Sequence, residues 1–426
     1  MTQIRHPAYR SKTLIQASFW IAAILVATAG YFFDEAMQYA QHLHFVLYEK
    51  YGWLTTLASP LVLLFSATLV VKIAPYARGS GIPQALKAMM ISLGSHQTAL
   101  ASGLITIKTA IVKVASAVLA VFAGASVGRE GPTVQVAASL FAWVGSRTKR
   151  IFPHADFHSY LVAGSAAGVS AAFNTPLAGI TFALEEMAEG TFAQMKQSVM
   201  ISVVIAGMVT QTVMGNYSYF GSPVLPALDW RIALPAILIG LTGGLAGGLF
   251  ARSLAHPIFD KLRVRLNWWH KALICGVVIA GINLITNGDT AGTGYHITRA
   301  FMDQELESMP LLFPIAKFFS TLFSFWSGTA GGIFSPSLSI GAGLGNSLGV
   351  LLELADLRTC ALLGMVAFFT GTVQAPLTGV VIIMEMTNVH EVILPLMLVA
   401  FVAQGVSKLV MPTSLYHYLA HHRMQL

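Results

Sequence analysis

Three fragments of this sequence set glycine ahead of proline around a polar or apolar centre: Gly79-Ser80-Gly81-Ile82-Pro83, Gly128-Arg129-Glu130-Gly131-Pro132 and Gly331-Gly332-Ile333-Phe334-Ser335-Pro336. Proline has its φ already set for a first helical turn, so each fragment reads as the start of a half-helix. The first N–H groups of a helix lack internal partners and together carry about half a positive charge. Three such ends converging make an anion site that needs no fixed cation. Partial charges also let the anion leave, whereas a permanent Lys or Arg charge in a low-dielectric site would hold it too tightly for fast release. Ser80 supplies a hydroxyl donor, and Tyr416, after Pro412-Thr413-Ser414-Leu415, a phenolic one.

Two acidic positions need a reason. Glu130 sits between Val114–Gly128 and Gly131–Ser146, both free of charged residues apart from the adjacent Arg129. A carboxylate there must be paired, neutral or functional. One reading pairs it with Arg129. The other notes that adjacent residues seldom face each other at a helix start, and that a carboxylate beside helix N-termini resembles the anion the site would hold. It would then fill the site when ionised and leave it when protonated, making a gate coupled to protons. Glu185-Glu186 closes the apolar run Phe157–Leu184. It reads either as interfacial carboxylates at a helix end or, because Glu186 has no counterpart in the repeat described next, as an acid added for function.

The elements that must position these residues are membrane helices. Of 426 residues, 55% are apolar and 10% charged, less than half the charge of an average soluble chain and too apolar for disorder. Leu14–Phe33, Tyr51–Val71, Ile232–Ala251 and Phe318–Leu352 contain no Asp, Glu, Lys or Arg and have spanning length. Nothing alternates as a β-barrel would. The net charge of +7 comes from basic connectors such as Lys72–Arg78 and Arg252–Lys271, a pattern of membrane orientation rather than of nucleic-acid binding. An internal repeat divides the chain. Gly164, Pro176, Leu177, Gly179 and Glu185 recur 200 positions later as Gly364, Pro376, Leu377, Gly379 and Glu385, and Gly124, Gly128 and Pro132 recur at an offset of 204 as Gly328, Gly332 and Pro336. Matched Gly/Pro interruptions in two apolar halves point to a transport site of broken helices near the midplane. The expected organisation is a cytoplasmic segment 1–13, a first repeat 14–215, a connector 216–227 and a second repeat 228–426, with no C-terminal cytosolic domain.

Other motifs carry less. Cys275 and Cys360 lie in apolar surroundings outside any spaced motif, implying buried thiols, no disulfide and no metal site. Ala27-Thr28-Ala29 resembles a signal cleavage site, but the apolar run continues to full spanning length, which favours a retained first helix with its basic end in the cytoplasm. Gly124-Ala125-Ser126-Val127-Gly128 formally matches the Gly-x-Ser-x-Gly elbow of a serine hydrolase, yet it sits in a membrane run, and Gly328-Thr329-Ala330-Gly331-Gly332 repeats its glycines without the serine. An enzyme is not expected. Asn216-Tyr217-Ser218 fits a glycosylation acceptor by chance.

The ordered motifs resemble the CLC family of chloride channels and proton/chloride antiporters, in its bacterial, antiporter-like form. The resemblance covers nearly the whole chain and implies an all-α polytopic fold of two inverted-topology repeats with broken and tilted helices. It implies a homodimer in a bacterial inner membrane, each subunit with its own pathway and both termini cytoplasmic, with chloride and protons as substrates and no cofactor. By the same resemblance, Ser80, the Ile333 and Phe334 amides and Tyr416 hold chloride. Glu130 is the gating glutamate, Glu186 the internal proton-transfer glutamate, and Lys113 an electrostatic support. Gly79, Gly81, Pro83, Gly128, Arg129, Gly131, Pro132, Gly332 and Pro336 form the half-helix motifs. Family channels usually lack an acid at the position of Glu186, which favours exchange over the alternative of a passive pH-gated chloride channel. Ser80 resembles the chloride-type filter, where nitrate-accumulating relatives have proline, and the intact filter and gating motifs disfavour fluoride. One departure stands out: relatives carry acids just after the first motif, whereas this chain has Gln84 and Leu86, which changes the electrostatics of the inner proton entrance.

Overall fold

Helices account for most of the chain. The protein is represented by a computed structural model that describes residues 7–93, 103–153, 155–187, 192–215, 218–226, 230–257, 266–353 and 356–424. Its helices are α1 (Pro7–Tyr51), α2 (Trp53–Ile73), α3 (Ile82–Ser92), α4 (Ile107–Phe122), α5 (Glu130–Ile151), α6 (Phe157–Phe173), α7 (Pro176–Phe182), α8 (Phe192–Met214), α9 (Ala233–Ala255), α10 (Trp268–Ile285), α11 (Tyr295–Met302), α12 (Phe313–Trp326), α13 (Phe334–Leu351), α14 (Leu357–Val373), α15 (Pro376–Thr387), α16 (Ile393–Val410) and α17 (Leu415–His422). Of the Asn216-Tyr217-Ser218 triplet, the first two residues lie outside the described set.

Among the described residues, six helical stretches are long and apolar enough to cross a membrane: Lys12–Tyr51, Trp53–Ile73, Gln197–Met214, Trp230–Ala255, Trp268–Ile285 and Ile393–His422. Their surfaces suit lipid. On α2, Thr56, Ser59 and Ser66 are buried while Leu57, Leu61 and Phe65 are exposed, the reverse of a soluble helix. Ser66 hydrogen-bonds Ser116 across to α4. In hydrocarbon a polar side chain must find its partner inside the protein, and small hydroxyls let helices approach closely.

The repeat is visible as local structure. Asp156 caps α6 by accepting hydrogen bonds from the His158 and Ser159 amides, and Asp356 caps α14 by accepting from the Thr359 amide. Asn174 and Gln374 end those helices in the left-handed conformation, with φ of 59° and 65°, and Pro176 and Pro376 start the next. The two largest helix packings are also equivalent: α5 on α6, and α13 on α14. The apolar run Phe318–Leu352, long enough to read as one span, is divided in space between α12 and α13. The break falls at Gly328 to Ile333, where Gly328 takes a positive φ of 88° and Ile333 is the N-cap of α13.

Candidate anion site

The three half-helices start where the sequence places them, at Ile82, Glu130 and Phe334, and backbone hydrogen bonds tie their leading loops together. The Gly79 amide donates to Thr329 O at 2.9 Å and the Gly331 amide to Gly79 O at 3.1 Å. Gly128 and Gly332 exchange amide-to-carbonyl bonds of 2.7 and 2.8 Å. Two short bridges therefore fasten the first-half motifs to the second-half motif, so that α3, α5 and α13 present their N-termini to one region. The approach is too close for side chains. A Cβ on Gly131 would stand 2.2 Å from Ser80 Oγ, so glycine is required there, and Gly81 caps α3 at φ 104°, a left-handed conformation that costs other residues strain.

Glu130 lies on the N-terminus of α13. Its carboxylate accepts from the Ser335 hydroxyl at 2.5 Å and from the Ser335 amide at 3.3 Å, and its side chain is buried. A negative group held by unpaired N–H donors and a hydroxyl at a helix start is the arrangement an anion would adopt. Arg129 does not pair with Glu130; it forms a buried ion pair with Asp34 of α1, so that alternative for Glu130 falls.

Ser80 and Tyr416 are both buried, and neither hydroxyl makes a hydrogen bond of full geometry to a described residue. The two hydroxyls lie within reach of each other, and the Glu186 and Glu130 carboxylates act on the Tyr416 phenol from nearby. Two orphaned donors beside one another call for a shared acceptor, because an unmade hydrogen bond in a buried site costs about 1–3 kcal/mol. A cavity of about 400 Å³ reaches Ser80 and is lined by Arg78, Lys271 and Arg423 with no acidic residue. A second, of about 760 Å³, is lined by Arg129, Asp34 and Glu35. Positive walls of the first raise the local concentration of anions.

Glu186 is buried in a π-helical turn, Ala183–Met187, that continues α7. Such turns re-aim side chains at functional sites. Here Ser414, at the N-cap position of α17, donates to Glu186 Oε1 at 3.2 Å. Glu185 turns elsewhere and accepts hydrogen bonds from the Leu377 and Thr378 amides, so the two adjacent acids are not a solvated pair at a helix end.

Lys113 is fully buried and donates to Gly79 O at 2.7 Å, bracing the loop before Ser80. Gln84 does similar work, donating to Arg78 O at 2.6 Å. The Ser126 hydroxyl bonds Thr321 within a packed loop, not at a hydrolase elbow. Sequence reasoning missed Ser335, Asp34 and Lys317. Lys317 stands 204 positions after Lys113, is equally buried, and donates to Thr290 O and Gly292 O at 2.8 and 2.7 Å. Gly292-Thr293-Gly294 before α11 thus repeats the Gly79-Ser80-Gly81 arrangement before α3, down to a left-handed glycine cap. The 204-residue offset already in hand would have found Lys317, while the glycine loop it braces lies 213 positions after its counterpart.

Residues 62–408 match the family described as voltage gated chloride channel. The chain belongs to the CLC family. It is therefore a multi-pass membrane protein of an anion-transport family and not an enzyme. This CLC protein is 30% identical over 420 residues, 92% of its own length and 84% of the relative's, to the H(+)/Cl(-) exchange transporter ClcA of Yersinia pestis bv. Antiqua (strain Angola). Its fold is similar to that of a slow cyanobacterial Cl-/H+ antiporter, with a TM-score of 0.80, 26% identity and 98% of both chains covered. It is also similar in fold to a CLC-type fluoride/proton antiporter, with a TM-score of 0.77 at 20% identity, covering 96% of this chain and 98% of the other. The all-helical, polytopic CLC fold is thereby established for this chain.

Proposed function

We propose that this CLC protein exchanges chloride for protons. Chloride binds among Ser80, the Ile333 and Phe334 amides and Tyr416, Glu130 gates the path, and Glu186 passes protons to the inner side. The observation that carries the reading is the carboxylate of Glu130 seated on the α13 N-terminus near a buried phenol that makes no hydrogen bond of full geometry to a described residue. An ionised Glu130 competes with chloride for the same donors. Protonation removes its charge, weakens its hold on the helix end and frees the place for an anion, so one site alternates between anion and proton. The names of the similar exchange transporters support the same assignment.

The subunit is proposed to work as one of a pair in a bacterial inner membrane, both termini on the cytoplasmic side, one pathway in each subunit. Leu177, Leu184 and Leu377, exposed on the adjoining α7, π-turn and α15, give a second copy an apolar face to cover.

The deciding measurement is paired chloride and proton flux from purified protein in liposomes. An imposed chloride gradient is expected to drive protons uphill. If chloride passes and no uphill proton movement accompanies it, exchange is wrong and the protein is a passive channel gated by Glu130.

A further inference from the structure

The exchange reading leaves open how protons reach Glu186, whose side chain is only 4% exposed. Leu86 and Gln84 offer no acid nearby in sequence, and Glu185 is committed to capping α15. Among the described residues, one imidazole does reach it. His417 follows Tyr416 on α17, is 15% exposed, and places Nε2 3.2 Å from the Glu186 carbonyl oxygen and 3.9 Å from its Oε1. A carbonyl only accepts, so in the neutral ring Nε2 carries the hydrogen and Nδ1 is free of one. The imidazole thus has its donor face on Glu186 and its basic nitrogen turned from it.

We propose that His417 carries protons between inner-side water and Glu186, an inference that rests on the exchange reading above. Nδ1 takes a proton from a hydronium ion or a buffer acid, whose conjugate base stays in solution. The imidazolium then yields its Nε2 proton to the Glu186 carboxylate, directly after a small side-chain rotation or through one water, leaving neutral imidazole and neutral Glu186. The ring recovers its first tautomer by exchanging its N–H with water, and the steps run backwards when protons move outward. A histidine suits this because its ordinary pKa near 6.5 lies in the working range. The charged groups on the helices packed against α17 do not: α3 carries Lys87, α9 carries Arg252 and α14 carries Arg358, all cations throughout that range. His256, just beyond α9, packs its ring 5.2 Å from that of Tyr418, and His421, His422 and Arg423 lie further along α17 or just past it.

The test uses full-length protein in liposomes with chloride and proton fluxes measured together over a range of inner pH. His417→Gln keeps an N–H donor for the Glu186 carbonyl but cannot carry a proton. It is expected to lower uphill proton flux by about tenfold or more while chloride flux continues, so that the proton-to-chloride ratio falls. It should also lose the inner-pH dependence that the unsubstituted protein shows in the histidine range. An unchanged ratio and pH profile in His417→Gln overturns the relay. So does equal loss of both fluxes in a variant that elutes as the parent does, since that marks a structural or anion-binding role. Glu186→Gln separates the inference from the reading beneath it. If Glu186→Gln abolishes proton flux and His417→Gln does not, only the relay falls. If Glu186→Gln moves protons normally, the assigned proton path fails and the relay with it.

Discussion

Glu185 and Glu385 each close the half-helix of the opposite repeat. Glu385 accepts from the Leu177 and Ala178 amides at 3.2 and 2.7 Å, and Glu185 accepts from the Leu377 and Thr378 amides at 3.0 and 2.7 Å. A carboxylate at a helix start satisfies two unpaired N–H groups and meets the favourable end of the helix dipole. Because the bonds are exchanged, α7 and α15 are fastened to each other across the pseudo-symmetric seam.

Removal of either acid should therefore loosen both halves. Glu185→Ala and Glu385→Ala are each expected to destabilise the fold by about 1–2 kcal/mol, the range for losing a capping side chain. Since the two caps share one seam, the double variant should depart from additivity. Chemical denaturation in a fixed detergent measures it. A stability within experimental error of the parent in both single variants would show that the caps contribute nothing.

Glu130 predicts a pH dependence with a definite sign. The ionised side chain occupies the α13 N-terminus, so lowering pH should strengthen chloride binding as the carboxyl protonates and vacates it, and raising pH should weaken binding. Glu130→Gln, which cannot ionise, should bind chloride with little dependence on pH, conduct it, and lose uphill proton transport. Calorimetric chloride titrations at several pH values check the first part and the flux pair checks the second. Retained proton pumping in Glu130→Gln would take the gate from this residue.

The Tyr416 phenol and Ser80 hydroxyl lie beside each other and make no hydrogen bond of full geometry to a described residue, so an anion between them takes both donors. Tyr416→Phe removes one donor and little volume. It should weaken chloride binding about fivefold, corresponding to roughly 1 kcal/mol for one hydrogen bond. Ser80→Pro should shift preference toward nitrate. Unaltered chloride affinity in Tyr416→Phe would place the anion elsewhere.

How much of this was legible beforehand follows from chain distance. The broken helices were written in short fragments, since Gly and Pro act on their own backbone, and the 200-residue echo of Pro-Leu-x-Gly exposed the two halves. Contacts set by topology were not. Nothing local to Arg129 says that its partner is Asp34 rather than its neighbour Glu130, and nothing local to Glu185 says that it caps a helix nearly two hundred residues away. Ser335 was hidden as the variable position in Gly-Gly-Ile-Phe-x-Pro, although its hydroxyl holds Glu130. Lys317 is the exception: sequence periodicity could have found it, because its 204-residue offset from Lys113 matches that of the glycines.

Those two lysines give a prediction in which symmetry and function part. Both are fully buried and both hold carbonyls of a loop that ends in a left-handed glycine: Lys113 on Gly79 O, Lys317 on Thr290 O and Gly292 O. Methionine keeps most of the side-chain volume but removes the ammonium donor, at about 1–3 kcal/mol for each buried carbonyl left without a partner. Lys317→Met should then be the more destabilising change, because it orphans Thr290 O and Gly292 O, whereas after Lys113→Met the Gly79 carbonyl still accepts from the Gly331 amide. Chloride affinity should rank the opposite way, because Gly79 adjoins Ser80 whereas the loop Lys317 holds leads into α11. Thermal unfolding and calorimetric chloride binding on both variants test the crossing. If stability and affinity fall in the same order, the lysines act on the fold as a whole and not through the loops they brace.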